Sequence, residues 1–405
     1  MAKSNNGHVT RRRWLKSTGV LGGATLAGCL GDGGNTPTET DGGNGGTPTS
    51  TTSGEESYTF GFAAMAAPSP WHQIWMRTHK WYAQDLGHEM LVTNAEFDLA
   101  RQTNQVQSMI NRGIDALIIS PVSSGGAKQL VENTLEQGVP VMTNNSTVFS
   151  QQVPLFVAFG NYAGAYLAGK ELAKRINDLY GGGRVIDIMG NQTSATAQQR
   201  SQGFTDAVEE EGLSVATHVA AKWSVEKAIS KTTAFLQKDS DIQGIYGAWG
   251  SATEAARKAL ERQDMLVKRG EDGHVPIANI DATPVTLNNI RKGWADVSVD
   301  QPMPFYAPLT IHYLIQYLEG GNDPGVLPET GTEVAAEDLS FKPENPGGPE
   351  GHEKIWAEDY WAPGEVQPFT HEGTEYHRLF KLKPLAVTPE NANADYLWAN
   401  FVDLL

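Results

Sequence analysis

YTFGFAAMAAPSPWHQIWMRTHKWYAQDLGHEMLVTN, residues Tyr58–Asn94, is the stretch that decides the fold. It opens on a short apolar run, Tyr58–Ala64, with the aromatic and β-rich content of a strand. A helix-like stretch to Leu86 follows, and then a second β-rich run, HEMLVTN, at 88–94. Strand, helix and strand in that order form the unit of a parallel sheet. Between the first two sits SPWHQIW, Ser69–Trp75, which places a Pro, two Trp and a His where a strand turns into a helix.

The alternation continues on both sides of a midpoint. Helical periodicity over about 100–112, IDALIIS at 114–120, a helix over 125–137, VPVMTNN at 139–145 and PLFVAFGN at 154–161 complete one series. A second series starts near Tyr162 with a helix to Tyr180 and RVIDIMGN at 184–191. A helix over 195–211, LSVATHVAA at 213–221, a helix over 225–237 and IQGIYGAW at 242–249 follow. A helix over 252–262 and VPIANID at 275–281 close it. Two successive series of similar size predict an α/β protein of two similar lobes, each a parallel sheet flanked by helices. Residues 321–376, rich in Gly, Pro and acids and containing PENPGGPEGHE, read as an irregular insertion, and RLFKLKPLAV at 378–387 as a last strand.

Composition narrows the function. A formal charge of −16 over 405 residues gives no electrostatic footprint for nucleic acid. The single cysteine, Cys29, excludes an internal disulfide and a Cys-based metal site. TRRRWLK, Thr10–Lys16, precedes a short apolar, Gly-rich run ending in LAGC at Cys29, the layout of an export signal too short to span a membrane. The Arg11–Arg12 pair resembles a twin-arginine signal, and LAGC resembles a lipobox. The resemblance implies cleavage of residues 1–28 and a lipid on Cys29, which would hold the protein on the outer face of the cytoplasmic membrane. Loss of 1–28 removes five cations (Lys3, Arg11, Arg12, Arg13 and Lys16) and no acid, leaving a still more acidic surface. Residues 29–57, rich in Thr, Gly, Pro and Ser, cannot bury enough surface to order themselves and read as a disordered tether.

Open parallel sheets bind ligands outside the carboxyl ends of their strands. Those ends carry Trp71 and His72, then SPVSS, then Asn144, Asn145 and Ser146. In the second series they carry GNQTSATAQQR, Trp223, Trp249, Asp281, Asp300 and Gln301. Flat indole faces suit the C–H faces of a sugar ring, while amides and carboxylates fix hydroxyl directions. Any one Trp is more readily explained as packing, but three at strand ends of both lobes favour a ligand. No G-x-S-x-G elbow is present, YGGGR at 180–184 precedes a strand and is no phosphate cradle, and His72 and His79 share no further ligand at metal spacing. Catalytic residues, metal and cofactor are therefore expected to be absent. Asn144, Asn145 and Asn191 head N-x-S/T sequons that glycosylation would turn into obstacles in a cleft.

PWHQIWMRTHKWYAQDLG, QSMINRGIDALIISPVSS, GVPVMTNN, GNYAGAYLAGKELA and TSATAQQRSQGFTDAV, with IDATP and the Gln301 region, occur in order over Tyr58 to about Gly320. In this order and spacing the chain resembles the solute-binding proteins of sugar ABC transporters, the ribose-binding kind of type 1 periplasmic binding protein. The resemblance implies two lobes joined by three crossover segments that close on a ligand by hinge motion. It implies an N-terminal lobe of 58–161 plus about 302–320, and a C-terminal lobe of 162–301 plus about 377–390. Its ligand positions fall on Trp71, His72, Asn145, Gln198, Trp223, Trp249, Asp281 and Gln301. Arg200 falls on an arginine that is usually structural. Asn145–Ser146 stands where the family has an Asp-Arg pair, and Gln198 where it has an arginine, so the ligand is expected to be neutral.

The expected function is capture of a neutral sugar, polyol or nucleoside by a monomeric lipoprotein that delivers it to an ABC permease. A receptor subunit that shows its closed form to a sensor would use the same cleft. A sugar-active hydrolase would need two flanking carboxylates, for which Asp281 and Asp300 are the candidates.

Overall fold

The computed structural model describes residues 57–335 and 364–401. The leader, Cys29 and most of the tether lie outside the described residues, as does the central part of the expected insertion. The first series runs β1 (Thr59–Ala64), α1 (Pro70–Asp85), β2 (Glu89–Asn94), α2 (Leu99–Asn111), β3 (Ala116–Ile119), α3 (Lys128–Glu136), β4 (Val141–Asn144) and β5 (Phe156–Phe159). The second runs α4 (Asn161–Tyr180), β6 (Arg184–Met189), α5 (Ala195–Glu210), β7 (Ser214–Ala220), α6 (Val225–Leu236), β8 (Gly244–Gly247), α7 (Ala252–Glu261), β9 (Ile277–Ile280), α8 (Pro284–Arg291) and β10 (Val297–Asp300). The chain then returns through α9 (Tyr306–Glu319) to β11 (Glu333–Val334), β12 (Gly364–His371), β13 (Thr374–Leu382), β14 (Leu385–Val387) and α10 (Trp398–Phe401).

Two sheets result. The N-terminal sheet has the order β11-β12-β13-β5-β4-β3-β1-β2, and the C-terminal sheet β14-β10-β9-β8-β6-β7. Pairing is parallel except at β11/β12, β12/β13 and β10/β14. Helices cover both faces, so central strands such as β3, with all four residues buried, are continuous apolar runs instead of alternating ones. The chain passes between lobes three times, after β5, after β10 and after β13.

Local chemistry sets the helix starts. Pro70 occupies the first turn of α1, where its missing N–H costs nothing. The Asp98, Ser224 and Thr283 side chains accept the Arg101, Lys227 and Thr286 amides at the starts of α2, α6 and α8. Trp75, fully buried on α1, donates its Nε1–H to Asn144 Oδ1 at 2.7 Å, and Asn144 donates to Thr310 Oγ1 of α9 at 2.5 Å. That network fastens α9 to the N-terminal lobe.

The C-terminal region departs from expectation. Part of 321–376 is regular, because Gly364–His371 is a strand paired antiparallel with Thr374–Leu382. Glu372 and Gly373, both at positive φ (48° and 77°), make the two-residue turn whose twist suits a hairpin. Residues 377–390 do not all join the C-terminal lobe: Thr374–Leu382 pairs with β5 in the N-terminal sheet, and only Leu385–Val387 pairs with β10. His377 pins the hairpin down. Its Nδ1–H donates to Ser150 O at 2.8 Å, and its Nε2 lies 2.9 Å from Thr147 Oγ1. No helix among the described residues is long and apolar enough to cross a membrane.

Candidate functional site

The carboxyl ends of both sheets open onto one cleft with about 750 Å³ of empty space, partly open to solvent. Seven of the eight anticipated residues line it: Trp71, His72, Asn145, Trp223, Trp249, Asp281 and Gln301.

The floor is polar and buried. Asp281 follows β9 in a strained backbone conformation (φ 93°), held by its own amide on Val299 O at 2.9 Å. Its Oδ2 accepts the Gly250 amide at 2.9 Å, and its Oδ1 accepts Gln301 Nε2 at 2.6 Å. Arg200 Nη1 lies 3.7 Å from Oδ1. Arg200 also donates to Asn161 Oδ1 at 2.9 Å and Ala248 O at 2.6 Å, with its guanidinium over the Phe159 ring. They are the carboxylate and the guanidinium of the lining, placed side by side.

The walls are aromatic. Trp71, buried at the start of α1, stacks on Trp75 at 5.7 Å and meets His72 edge-on at 5.1 Å. Ser69 leaves the α1 amides uncapped because its hydroxyl pairs with His72 Nδ1 at 2.9 Å. Removal from water, and then the Arg200 guanidinium, lower His72 to about 4, so the imidazole is neutral at pH 7. Opposite, Trp223 follows β7 at φ 62° and meets Trp249 edge-to-face at 5.6 Å. Gly190 permits this: a Cβ there would come within 2.2 Å of the Trp223 ring.

Gln198 is a correction. It does not line the cleft; its Nε2 donates to Gln192 O at 3.0 Å. On α5 the cleft side is carried by Thr196 and Arg200, which share a face at i,i+4, while Gln198 is turned well away from both. Asp300 is also absent from the lining and accepts Trp398 Nε1–H at 2.9 Å. Asn144 serves the core network already described.

Sequence reading missed Met65 and Phe97, carried Ser194, Thr196, Ser251 and Thr283 only within strand-end stretches without singling them out, and took Arg200 as structural only. Phe97 had a signal, since it follows β2 at a strand's carboxyl end, as the aromatics that were chosen do. Among the described residues no cluster of three or more His, Cys, Asp or Glu could hold a metal ion.

Residues 60–322 match the periplasmic binding protein domain. The chain belongs to the periplasmic binding protein family. This is a family of extracytoplasmic binding proteins and not of enzymes, so the hydrolase reading is set aside. The binding protein is 29% identical over 240 residues to the D-ribose/D-allose-binding protein of Pseudomonas aeruginosa, covering 57% of this chain and 72% of that one. It is 24% identical over 245 residues to the D-apiose import binding protein of Paraburkholderia graminis, covering 59% and 74%. Its fold is that of a galactofuranose binding protein (TM-score 0.64, 17% identity, covering 84% and 97%). A Bacillus halodurans ABC transporter solute binding protein with bound myo-inositol is similarly close (TM-score 0.64, 20% identity, covering 86% and 100%).

Proposed function

We propose that this protein is the solute-binding component of an ABC importer and captures a neutral sugar or sugar-like polyol in the cleft. The observation that carries the reading is the charge-compensated floor beneath aromatic walls. Asp281 and Arg200 cancel, His72 is neutral, and Trp71, Trp223 and Trp249 offer flat apolar faces. An anionic or cationic solute would leave one of the paired charges uncompensated. The relatives named for ribose, allose and apiose support the sugar class.

Bound solute stabilises the folded state by mass action, so thermal shift reads the assignment directly. Purified protein is screened with D-ribose, D-allose and myo-inositol against D-gluconate and D-glucosamine. Stabilisation by neutral members is expected; stabilisation by the charged pair alone overturns the reading. The twin-arginine-like leader and Cys29 support anchoring at the outer face of the cytoplasmic membrane, next to the permease. Cys29→Ser is expected to move the protein from the membrane fraction into the medium, and wild-type protein in the cytosol would sink that part.

A further inference from the structure

A line of buried hydrogen bonds runs beneath the cleft from one lobe to the other. It starts at the amide of Phe159, the last residue of β5, which donates to Tyr306 Oη at 2.8 Å. That oxygen already accepts a fixed N–H, so its own proton points to Gln301 Oε1, 2.7 Å away. The Gln301 amide is thereby oriented, oxygen toward Tyr306 and nitrogen toward Asp281 Oδ1 at 2.6 Å. Gly250 N–H holds the other carboxylate oxygen at 2.9 Å. Tyr306 is fully buried, and Gln301 and Asp281 are 2% and 7% exposed, so bulk water does not replace the Tyr306 hydroxyl.

The position of this line matters as much as its continuity. Phe159 borders the first crossover, while Gln301 and Tyr306 border the second. Gly160 N–H ties the third by donating to Leu382 O at 3.1 Å. Tyr306 opens α9, which is fastened to the N-terminal lobe, whereas Asp281 belongs to the C-terminal lobe. The line therefore spans the crossovers between the lobes.

We infer that Tyr306 is a positioning residue: it touches no solute, but it locks the Gln301–Asp281 pair in its binding orientation and ties that pair to the hinge. The inference rests on the cleft being the solute site. Two groups are left for a solute, the second N–H of the Gln301 amide and the free lone pairs of Asp281. Adjacent donor and acceptor suit a pair of neighbouring hydroxyls. A solute that engages both favours the arrangement in which the line is intact.

Tyr306→Phe removes one oxygen and keeps the ring that packs 6.2 Å from Trp71. Titration calorimetry with D-ribose, D-allose and myo-inositol is expected to show about tenfold weaker binding, the effect of one buried hydrogen bond. Gln301→Ala should weaken binding as well, and adding Tyr306→Phe to it should cost nothing more; additive losses would overturn the inference. Tyr246→Phe, which deletes a buried hydroxyl that has no hydrogen-bond partner among the described residues, should leave affinity unchanged. In the wild-type protein the Phe159 amide should exchange with solvent more slowly when solute is bound, and no change there also counts against the inference. Wild-type affinity in Tyr306→Phe beside lost affinity in Asp281→Ala sinks the positioning role alone. Wild-type affinity in Asp281→Ala sinks the cleft assignment and the inference with it.

Discussion

The floor and the rim of the cleft are built in opposite ways. On the floor, Asp281, Arg200 and Gln301 are at most 7% exposed and each is held in place by hydrogen bonds within the protein. At the rim, Phe97 is 37% exposed and Trp223 is half-buried, with apolar surface in water. A floor satisfied in advance supplies direction and penalises charge; a rim with wet aromatic surface supplies area that a solute covers. The floor should therefore govern which solute binds, and the rim how tightly.

The comparison can be broken at its strongest point first. Arg200→Ala leaves Ala248 O and the Asn161 side chain without their donor and Asp281 without its counter-charge. Loss of one member of a buried pair costs about 3–5 kcal/mol, expected here as a fall in stability in urea titrations larger than the loss of affinity. An affinity loss with unchanged stability would make Arg200 a rim-like contact. Asp281→Ala comes next, at about 2–3 kcal/mol of binding, because a charged hydrogen-bond partner is lost from a closed site. Its melting temperature should move less than that of Arg200→Ala.

Smaller effects test the rim. Trp223→Ala should cost about 1–3 kcal/mol of binding through lost area, and the more exposed Phe97→Ala less than about 1 kcal/mol. The reverse order would mean that the mouth, and not the inner aromatic pair, selects the solute. Acidity should matter least to affinity. His72, lowered to about 4, stays neutral in the folded protein to well below its ordinary 6.5, so binding should be flat from about pH 8 to about 5. Stability should not be flat. Desolvation also lowers His312 and His377 to about 4 and His79 to about 3. A lowered folded value means that the unfolded chain takes up protons first, so stability is lost as pH falls below about 6.5. His218, raised by its hydrogen bond to Asp187, and His274, where burial lowers but the hydrogen bond to Asp296 and its charge raise the value further, work in the other direction but are outnumbered by the four lowered histidines. Affinity falling in step with stability would place a titrating group in the cleft.

The alternation of strands and helices made the two parallel sheets legible, and the strand-end rule then found most of the lining. It failed where position along a helix decides, since Thr196 and Arg200 face the cleft and Gln198 does not. It also failed where one residue does two tasks: a buried Arg200 that packs on Phe159 looks structural until its distance to Asp281 is known. The hairpin was read only in part. Its second strand overlaps RLFKLKPLAV, read as a last strand, but the first, Gly364–His371, mixes buried Val366 and Phe369 with polar residues and a Pro, and the Glu372–Gly373 turn was the local signal joining the two. Its pairing with β5, Leu379 opposite Phe156, is set across more than half the chain and has no signature at either end.

That late pairing imposes an order on synthesis. β5 leaves the ribosome early, yet the strand that covers its outer edge is made only after β6 to β10 of the C-terminal lobe. Until then the nascent chain carries an open strand edge ready to template another chain. A fragment ending before residue 364 retains that edge permanently, which makes truncation here a route to aggregates instead of a smaller binding protein.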